Sequence, residues 1–373
     1  KMESHLGADL PPIPEELAHC SRKERLRALF SRHAANRRKA RFLAARTAES
    51  RTVLLEQLAA AEDLLHATSD HLHIRYSSEL SDTVRRKLLH YGYPCDSAAV
   101  YHTQSDRLMI EMCCQGRELD GCLPTIKHIL SESLNLTLEE LDPIFSGDTV
   151  RYRLCQRPKY RLEHFTSALH ASQETISGDT ALLFTDNAGN PYLVLSDGMG
   201  TGSEAAKESA EIVGILEKFL RSGADPAVAM KLLNSVMLLR GGDDSWGYAT
   251  VDLMCVDLFS GETCFYKYGA APSYVMNSGR IRRIKGETLA AGLNLGDGEA
   301  PDLVRMRLRP GSTAVIASDG VIVDEDDGWL KTLLQKSGED MKSLAKATLK
   351  EAEQQYGAED DMTVVTVRVE ERV

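Results

Sequence analysis

The chain has no C-x-x-C pair and no regular cysteine rhythm, its eight cysteines being scattered at positions 20, 95, 113, 114, 122, 155, 255 and 264. That argues against a disulfide scaffold and suits a reducing, cytoplasmic setting. No run approaches the ~20 apolar residues of a spanning helix, and no signal peptide is present. The reading is therefore no membrane span in this chain. It opens on Lys1-Met2 rather than on an initiator, as an internal fragment would, so a membrane region upstream stays open. There is no excess of positive charge overall: the formal net charge of -11 argues against nucleic acid as a partner. A Walker-type G-x-x-x-x-G-K is absent. Cys155 and Arg161 have the C-x₅-R spacing of cysteine phosphatases, but the seven residues contain no glycine to cradle a phosphate, so a structural thiol is expected.

At 373 residues the chain predicts two domains plus extensions. Residues 1–74 read as an irregular leader, with Pro11, Pro12 and Pro14, followed by linker helices. Neither proline nor glycine occurs between positions 21 and 72, and the stretch 22–51 is densely basic. Leu54, Leu58, Ala61, Leu65, Thr68 and Leu72 fall at 4-3-4-3-4 spacing, which fits either a helix packed on its own domain or a dimerising coiled coil. Residues 75–158 read as a small mixed α/β unit. From 159 to 373 short strands with hairpin turns dominate, interrupted by helix pairs at 204–221 with 226–239 and at 326–335 with 341–356. Two antiparallel sheets with paired helices outside suit that order, an α+β architecture.

What is present, twice, is a strand followed by Ser-Asp-Gly: Ser196-Asp197-Gly198 after Tyr192–Leu195, and Ser318-Asp319-Gly320 after Thr313–Ala317. Each unit brings an aspartate to a strand end, with a glycine that permits close approach of backbone or ligand. Ser177-Gly178-Asp179 and Asp360-Asp361-Met362-Thr363 add carboxylates at two further strand ends. A set of hard oxygen donors without histidine or cysteine is what Mg²⁺ or Mn²⁺ takes, and two such ions support in-line attack on phosphorus. The rival reading is Gly198-Met199-Gly200-Thr201-Gly202 as a dinucleotide loop. Its spacing is G-x-G-x-G, and the later elements are hairpins rather than βαβ units.

These motifs, in this order, with Ser203-Glu204-Ala205, Glu208-Ser209 and Gly269-Ala270-Ala271-Pro272-Ser273, resemble the PPM (type 2C) serine/threonine phosphatases over about residues 159–370. Within them they resemble the bacterial stage II sporulation protein E branch. The resemblance implies an α-β-β-α sandwich with two Mn²⁺ or Mg²⁺ ions between the sheets. By motif, Asp197 bridges both ions and Gly198 offers its carbonyl, Asp179 serves one side, and Asp319 and Asp360 the other; Asp179 and Asp197 are the catalytic pair. Asp361 stands where many relatives carry Asn. No arginine is marked by motif as holding the phosphate. The resemblance further implies hydrolysis of phosphoserine by a metal-bound hydroxide. The substrate would be an anti-sigma-factor antagonist whose dephosphorylation activates a sporulation sigma factor, and full-length members carry an upstream membrane region. We expect the N-terminal part to act by moving the helices at 204–221 and 226–239, while the Leu54–Leu72 seam leaves a homodimer and a helix packed on its own domain as equal alternatives. The alternative is a catalytically silent scaffold that binds and dimerises.

Overall fold

The computed structural model describes residues 75–372, apart from 104–105, 187, 199, 241–247, 295–299, 337 and 339. The chain divides into two compact units, Lys1–Leu58 and Ala59–Val373, and every described residue belongs to the second. The expected leader, the linker helices and the seam residues Leu54, Leu58, Leu65 and Leu72 lie outside the described residues.

Residues 75–156 form a five-stranded antiparallel sheet with two helices. The strands are β1 (Arg75–Tyr76), β2 (Ser97–His102), β3 (Leu108–Gln115), β4 (Leu138–Ser146) and β5 (Thr149–Gln156), in the order β1-β2-β3-β5-β4. Helix α1 (Ser78–His90) starts where the Ser77 hydroxyl accepts from Leu80 N at 3.3 Å. Helix α2 (Leu123–Leu134) stops at Asn135, whose φ of 51° is left-handed. Val84 and Leu88 of α1 and Ile126 and Leu130 of α2 cover Val100, Ile110 and Leu154 of the sheet. Strand β4 was not expected, because Asp142-Pro143 reads as a turn. Pro143 is accommodated at a register shift between Leu141 and Ile144 on an edge strand, where its missing N–H costs little.

The remaining strands make two five-stranded antiparallel sheets. One runs β13 (Asp302–Arg307), β10 (Glu262–Tyr268), β9 (Thr250–Val256), β8 (Pro191–Asp197), β7 (Asp179–Thr185). The other runs β12 (Arg280–Ile284), β11 (Ser273–Asn277), β14 (Thr313–Ala317), β15 (Met362–Glu371), β6 (Tyr160–Leu169). Period-2 alternation then sorts side chains into layers. Along β8, Leu193 and Leu195 enter the layer between the sheets with Phe265, Ile316 and Val365. Tyr192 and Val194 point the other way, under α3 (Gly202–Arg221) and α4 (Pro226–Arg240), against Ile212, Leu216 and Leu233. On the second sheet Val315, Ala317 and Val364 pack beneath α5 (Gly328–Lys336) and α6 (Met341–Tyr356). The result is the expected α-β-β-α sandwich. Strand β12 was also missed, since Arg-Ile-Arg-Arg-Ile carries little apolar signal; it is an edge strand that needs only one buried face.

Candidate metal centre

Continuing the alternation past Leu193 and Leu195 puts Asp197 on the inner face of β8, at the strand's end. Asp179, at the start of β7, is its direct partner in the antiparallel ladder. The same parity on the other sheet carries Ser318 beyond Ala314 and Ile316, and Thr363 before Val365, into the inner layer. Ser318 and Thr363 lock the two strand ends together: Ser318 N donates to Thr363 O at 3.0 Å, and Thr363 N donates to Ser318 Oγ at 2.9 Å. Four chain segments thus deliver acidic and hydroxyl groups to one end of the sandwich.

Asp197 is the middle of a row. Its carboxyl neighbours that of Asp179 on one side and that of Asp319 on the other, close enough for each charge to act on it. Burial pushes both Asp179 and Asp197 above the usual carboxylate range, Asp179 to about 6. Asp197 rises further because the Asp179 and Asp319 charges add to its burial. Both oxygens of Asp179 and the hydroxyl of Thr363 are buried without a hydrogen-bond partner. Such orphaned donors and acceptors are costly in a finished core. Among the described residues no three His, Cys, Asp or Glu side chains close on one point. The carboxyls form a chain rather than a cage, an arrangement that suits two hard cations keeping much of their water. The all-oxygen donor set and the orphaned atoms fit Mn²⁺ or Mg²⁺.

Asp360 and Asp361 part company. Asp361 is 2% exposed, and its two oxygens accept from Ala171 N at 2.9 Å and Gly178 N at 2.7 Å. Asp360 is exposed and lines, with Asp319, Glu359, Tyr356 and Val323, a cleft of about 510 Å³. Burial, and then the charges of Asp319 and Asp361, raise its pKa.

The glycines of the two Ser-Asp-Gly units serve backbone contact. A Cβ on Gly198 would lie 2.4 Å from Ala205 O in the first turns of α3, and one on Gly320 would lie 2.2 Å from Asp361 O. The seam residues Leu54, Leu58, Leu65 and Leu72 lie outside the described residues. The rival sites fall away. Gly198–Gly202 joins β8 to α3, but β8 is antiparallel to both neighbours, so no βαβ unit exists. Cys155 Sγ is a buried acceptor for Arg107 Nη2 at 2.9 Å, whereas Arg161 pairs with Glu370 at 2.6 Å.

Sequence reading overlooked a buried cluster in the inner layer. Lys267 Nζ donates to Asp252, to Ala271 O at 2.7 Å and to Ser273 Oγ at 2.8 Å. Lys267 and Asp252 are each 1% exposed and sit opposite one another on β10 and β9. The available signal was parity, since Lys267 follows Phe265 and Asp252 precedes Met254 on the inner face.

Comparison with known proteins agrees with this architecture. The family model for Stage II sporulation protein E matches residues 187–370. Stage II sporulation protein E of Bacillus subtilis (strain 168) is 26% identical over 376 residues, covering 94% of this chain and 44% of that protein. The Priestia megaterium protein of the same name is 28% identical, covering 88% of this chain and 58% of its own length. The chain thus spans about half the length of the curated relatives it matches. Among solved structures, the PP2C phosphatase domain with a fragment of the regulatory domain of SpoIIE from Bacillus subtilis superposes with a TM-score of 0.61. It is 23% identical and covers 87% of this chain and 96% of its own, a likeness of fold. Residues 187–370 thus match the Stage II sporulation protein E family model, and the α-β-β-α sandwich that contains them has the fold of a PP2C phosphatase domain.

Proposed function

We propose that the chain is a metal-dependent protein serine phosphatase acting on a phosphorylated protein. The observation that carries this reading is the placement of Asp197 between Asp179 and Asp319, with orphaned oxygens on Asp179. Asp197 would be shared by two ions, Asp179 would help hold one of them, and Asp319 and Asp360 the other. Gly198 would contribute through its backbone carbonyl. Asp360 rather than Asp361 is the ligand, because both oxygens of Asp361 already hold backbone N–H groups. When bound, the ions supply the positive charge that polarises a phosphoryl group and activates water. The chain's own contribution is positional. Asp361 fixes Gly178 beside Asp179, and Ser318 with Thr363 holds the ends of β14 and β15 in register. The cleft beside Asp319 and Asp360 admits a phosphorylated side chain standing out from a protein surface.

The match of residues 187–370 to the Stage II sporulation protein E family model supports an anti-sigma-factor antagonist as that substrate, and with it activation of a sporulation sigma factor. On the same basis we propose that residues 1–158 regulate the phosphatase, with the seam Leu54–Leu72 as a dimer contact. The chain would be the cytoplasmic part of its protein. Among the described residues no helix is long and apolar enough to cross a membrane.

The test is hydrolysis of a phosphoserine protein or peptide by residues 1–373 with EDTA, Mg²⁺ or Mn²⁺. Mn²⁺-dependent turnover that falls at least about a thousandfold in Asp197→Ala is the expected outcome. Turnover indifferent to EDTA, or retained in that variant, would overturn the reading.

A further inference from the structure

Away from the carboxylates, one row of side chains crosses the outer face of the first sheet: Tyr192 on β8, Cys255 on β9, Cys264 on β10 and Arg305 on β13, each the register partner of the next. Both cysteines are free, partly buried, and packed against the apolar layer beneath α3 and α4. Directly opposed residues of an antiparallel pair have Cα atoms about 4.5–5.5 Å apart, inside the disulfide window. The Cys255 thiol contacts Cys264, lying 3.7 Å from its carbonyl and in hydrogen-bonding contact with its thiol. We propose that Cys255 and Cys264 form a peroxide-sensitive dithiol, in which Cys264 is the attacking thiol and Cys255 the resolving one.

The asymmetry of the pair assigns those roles. The hydrogen bond from Cys255 favours the Cys264 thiolate, burial opposes it, and the Arg305 guanidinium and Tyr266 hydroxyl add support, leaving Cys264 at about 7. Cys255 moves the opposite way, through that same hydrogen bond and through burial, with Asp225 adding a negative charge nearby. Arg305 is exposed at the edge strand, so the thiolate sits where a small oxidant arrives from solvent. The Cys264 thiolate attacks one oxygen of hydrogen peroxide, forming a sulfenic acid and expelling hydroxide. Cys255 then attacks that sulfur, the S–S bond forms, and the sulfenic oxygen leaves as water once the Cys255 proton is counted. Two thiols and one peroxide thus yield one disulfide and two waters.

The molecule carries its own reference pair. Cys95 and Cys114 also touch, but burial pushes Cys114 up to about 12 and raises Cys95 as well, with no cation among the main influences on either. They are expected to stay reduced at doses that oxidise the first pair.

The experiment is graded hydrogen peroxide treatment of the full chain at pH 7, followed by iodoacetamide alkylation and peptide mass spectrometry. The expected result is a linked Cys255–Cys264 peptide 2 Da lighter than its thiols, with Cys95 and Cys114 still alkylated. Cys255→Ser should leave Cys264 as a sulfenic acid that dimedone captures. Arg305→Met, a surface change that spares the core, should slow Cys264 oxidation at least about fivefold by lowering its thiolate fraction. Full alkylation of both cysteines at doses that oxidise Cys95 or Cys114, no dimedone adduct in Cys255→Ser, or an unchanged rate in Arg305→Met would each overturn the assignment.

Discussion

Asp361 spends both carboxylate oxygens on the N–H groups of Ala171 and Gly178, and these tie the start of β15 to the loop that leads into Asp179. Removing it leaves two buried donors unpaired. Asp361→Ala should therefore cost about 2–5 kcal/mol of stability, read by denaturant unfolding of the metal-free protein. Asp360→Asn should leave that stability within about 0.5 kcal/mol and instead weaken Mn²⁺ binding, read by calorimetric titration. An inverted pattern would transfer the ligand role to Asp361. A pH dependence belongs to the same scale. Burial raises Asp179 from an ordinary carboxylate value to about 6, so the folded metal-free protein holds a proton that the unfolded chain has released. The stability it contributes is full below about pH 4 and is lost as pH rises through about 6. Without metal the melting temperature should drop across that window, and saturating Mn²⁺ should remove the drop. The aspartates themselves were legible in the sequence, because a strand followed by Ser-Asp-Gly is a local pattern. The partition between Asp360 and Asp361 was not, since it depends on backbone amides nearly two hundred residues away in sequence.

Strands and helices were readable wherever hydrophobic period matched a buried face, as in β8, β9, β14, β15, α3 and α6. They were missed where a short edge strand carries little apolar signal or where a proline sits at a bulge, as in β12 and β4. The junction between β8 and α3 shows how an element positions the site. Gly198 lets the strand end pass against Ala205 O, which brings the helix onto the sheet directly behind Asp197. Gly198→Ala would force a methyl to within 2.4 Å of that carbonyl, so α3 must retreat. A loss of about 3 kcal/mol is expected, together with faster amide exchange in the first two turns of α3. The Lys267–Asp252–Ser273 cluster performs the corresponding service across the layers, joining β9 and β10 of one sheet to the start of β11 in the other. Asp252 is the ladder partner of Leu195, two residues from Asp197. Lys267→Met strands a buried carboxylate and should cost about 3–5 kcal/mol in denaturant unfolding.

For the molecule as a whole, the sheet of residues 75–156 meets the sandwich far from the candidate metal-site residues, Asp179, Asp197, Asp319 and Asp360. Arg107 supplies a physical link. Its guanidinium is held in its own unit by Gln156 O at 3.0 Å and Cys155 Sγ at 2.9 Å, and its remaining arm donates to Ala188 O at 2.7 Å. Ala188 lies in the hairpin between β7 and β8, and the opposite ends of those strands carry Asp179 and Asp197, about 20 Å away at strand rise. The same hairpin is held to α3, because Arg221 Nη1 donates to Thr185 O at 2.9 Å. A second tie joins Arg372 to Glu139 at 2.8 Å. If residues 75–156 regulate the sandwich as proposed, the β7–β8 ladder offers a route beside the proposed one through the helices, and the sequence concealed it because Arg107 sits outside every motif. Arg107→Met should speed amide exchange in residues 186–190 about tenfold, equivalent to about 1.4 kcal/mol, while Leu193 and Leu195 keep their protection. If the ladder carries the coupling, the Mn²⁺ concentration for half-maximal turnover should shift in the same variant. Faster exchange in the hairpin with an unchanged metal requirement would confine the role of Arg107 to holding the two sheets together.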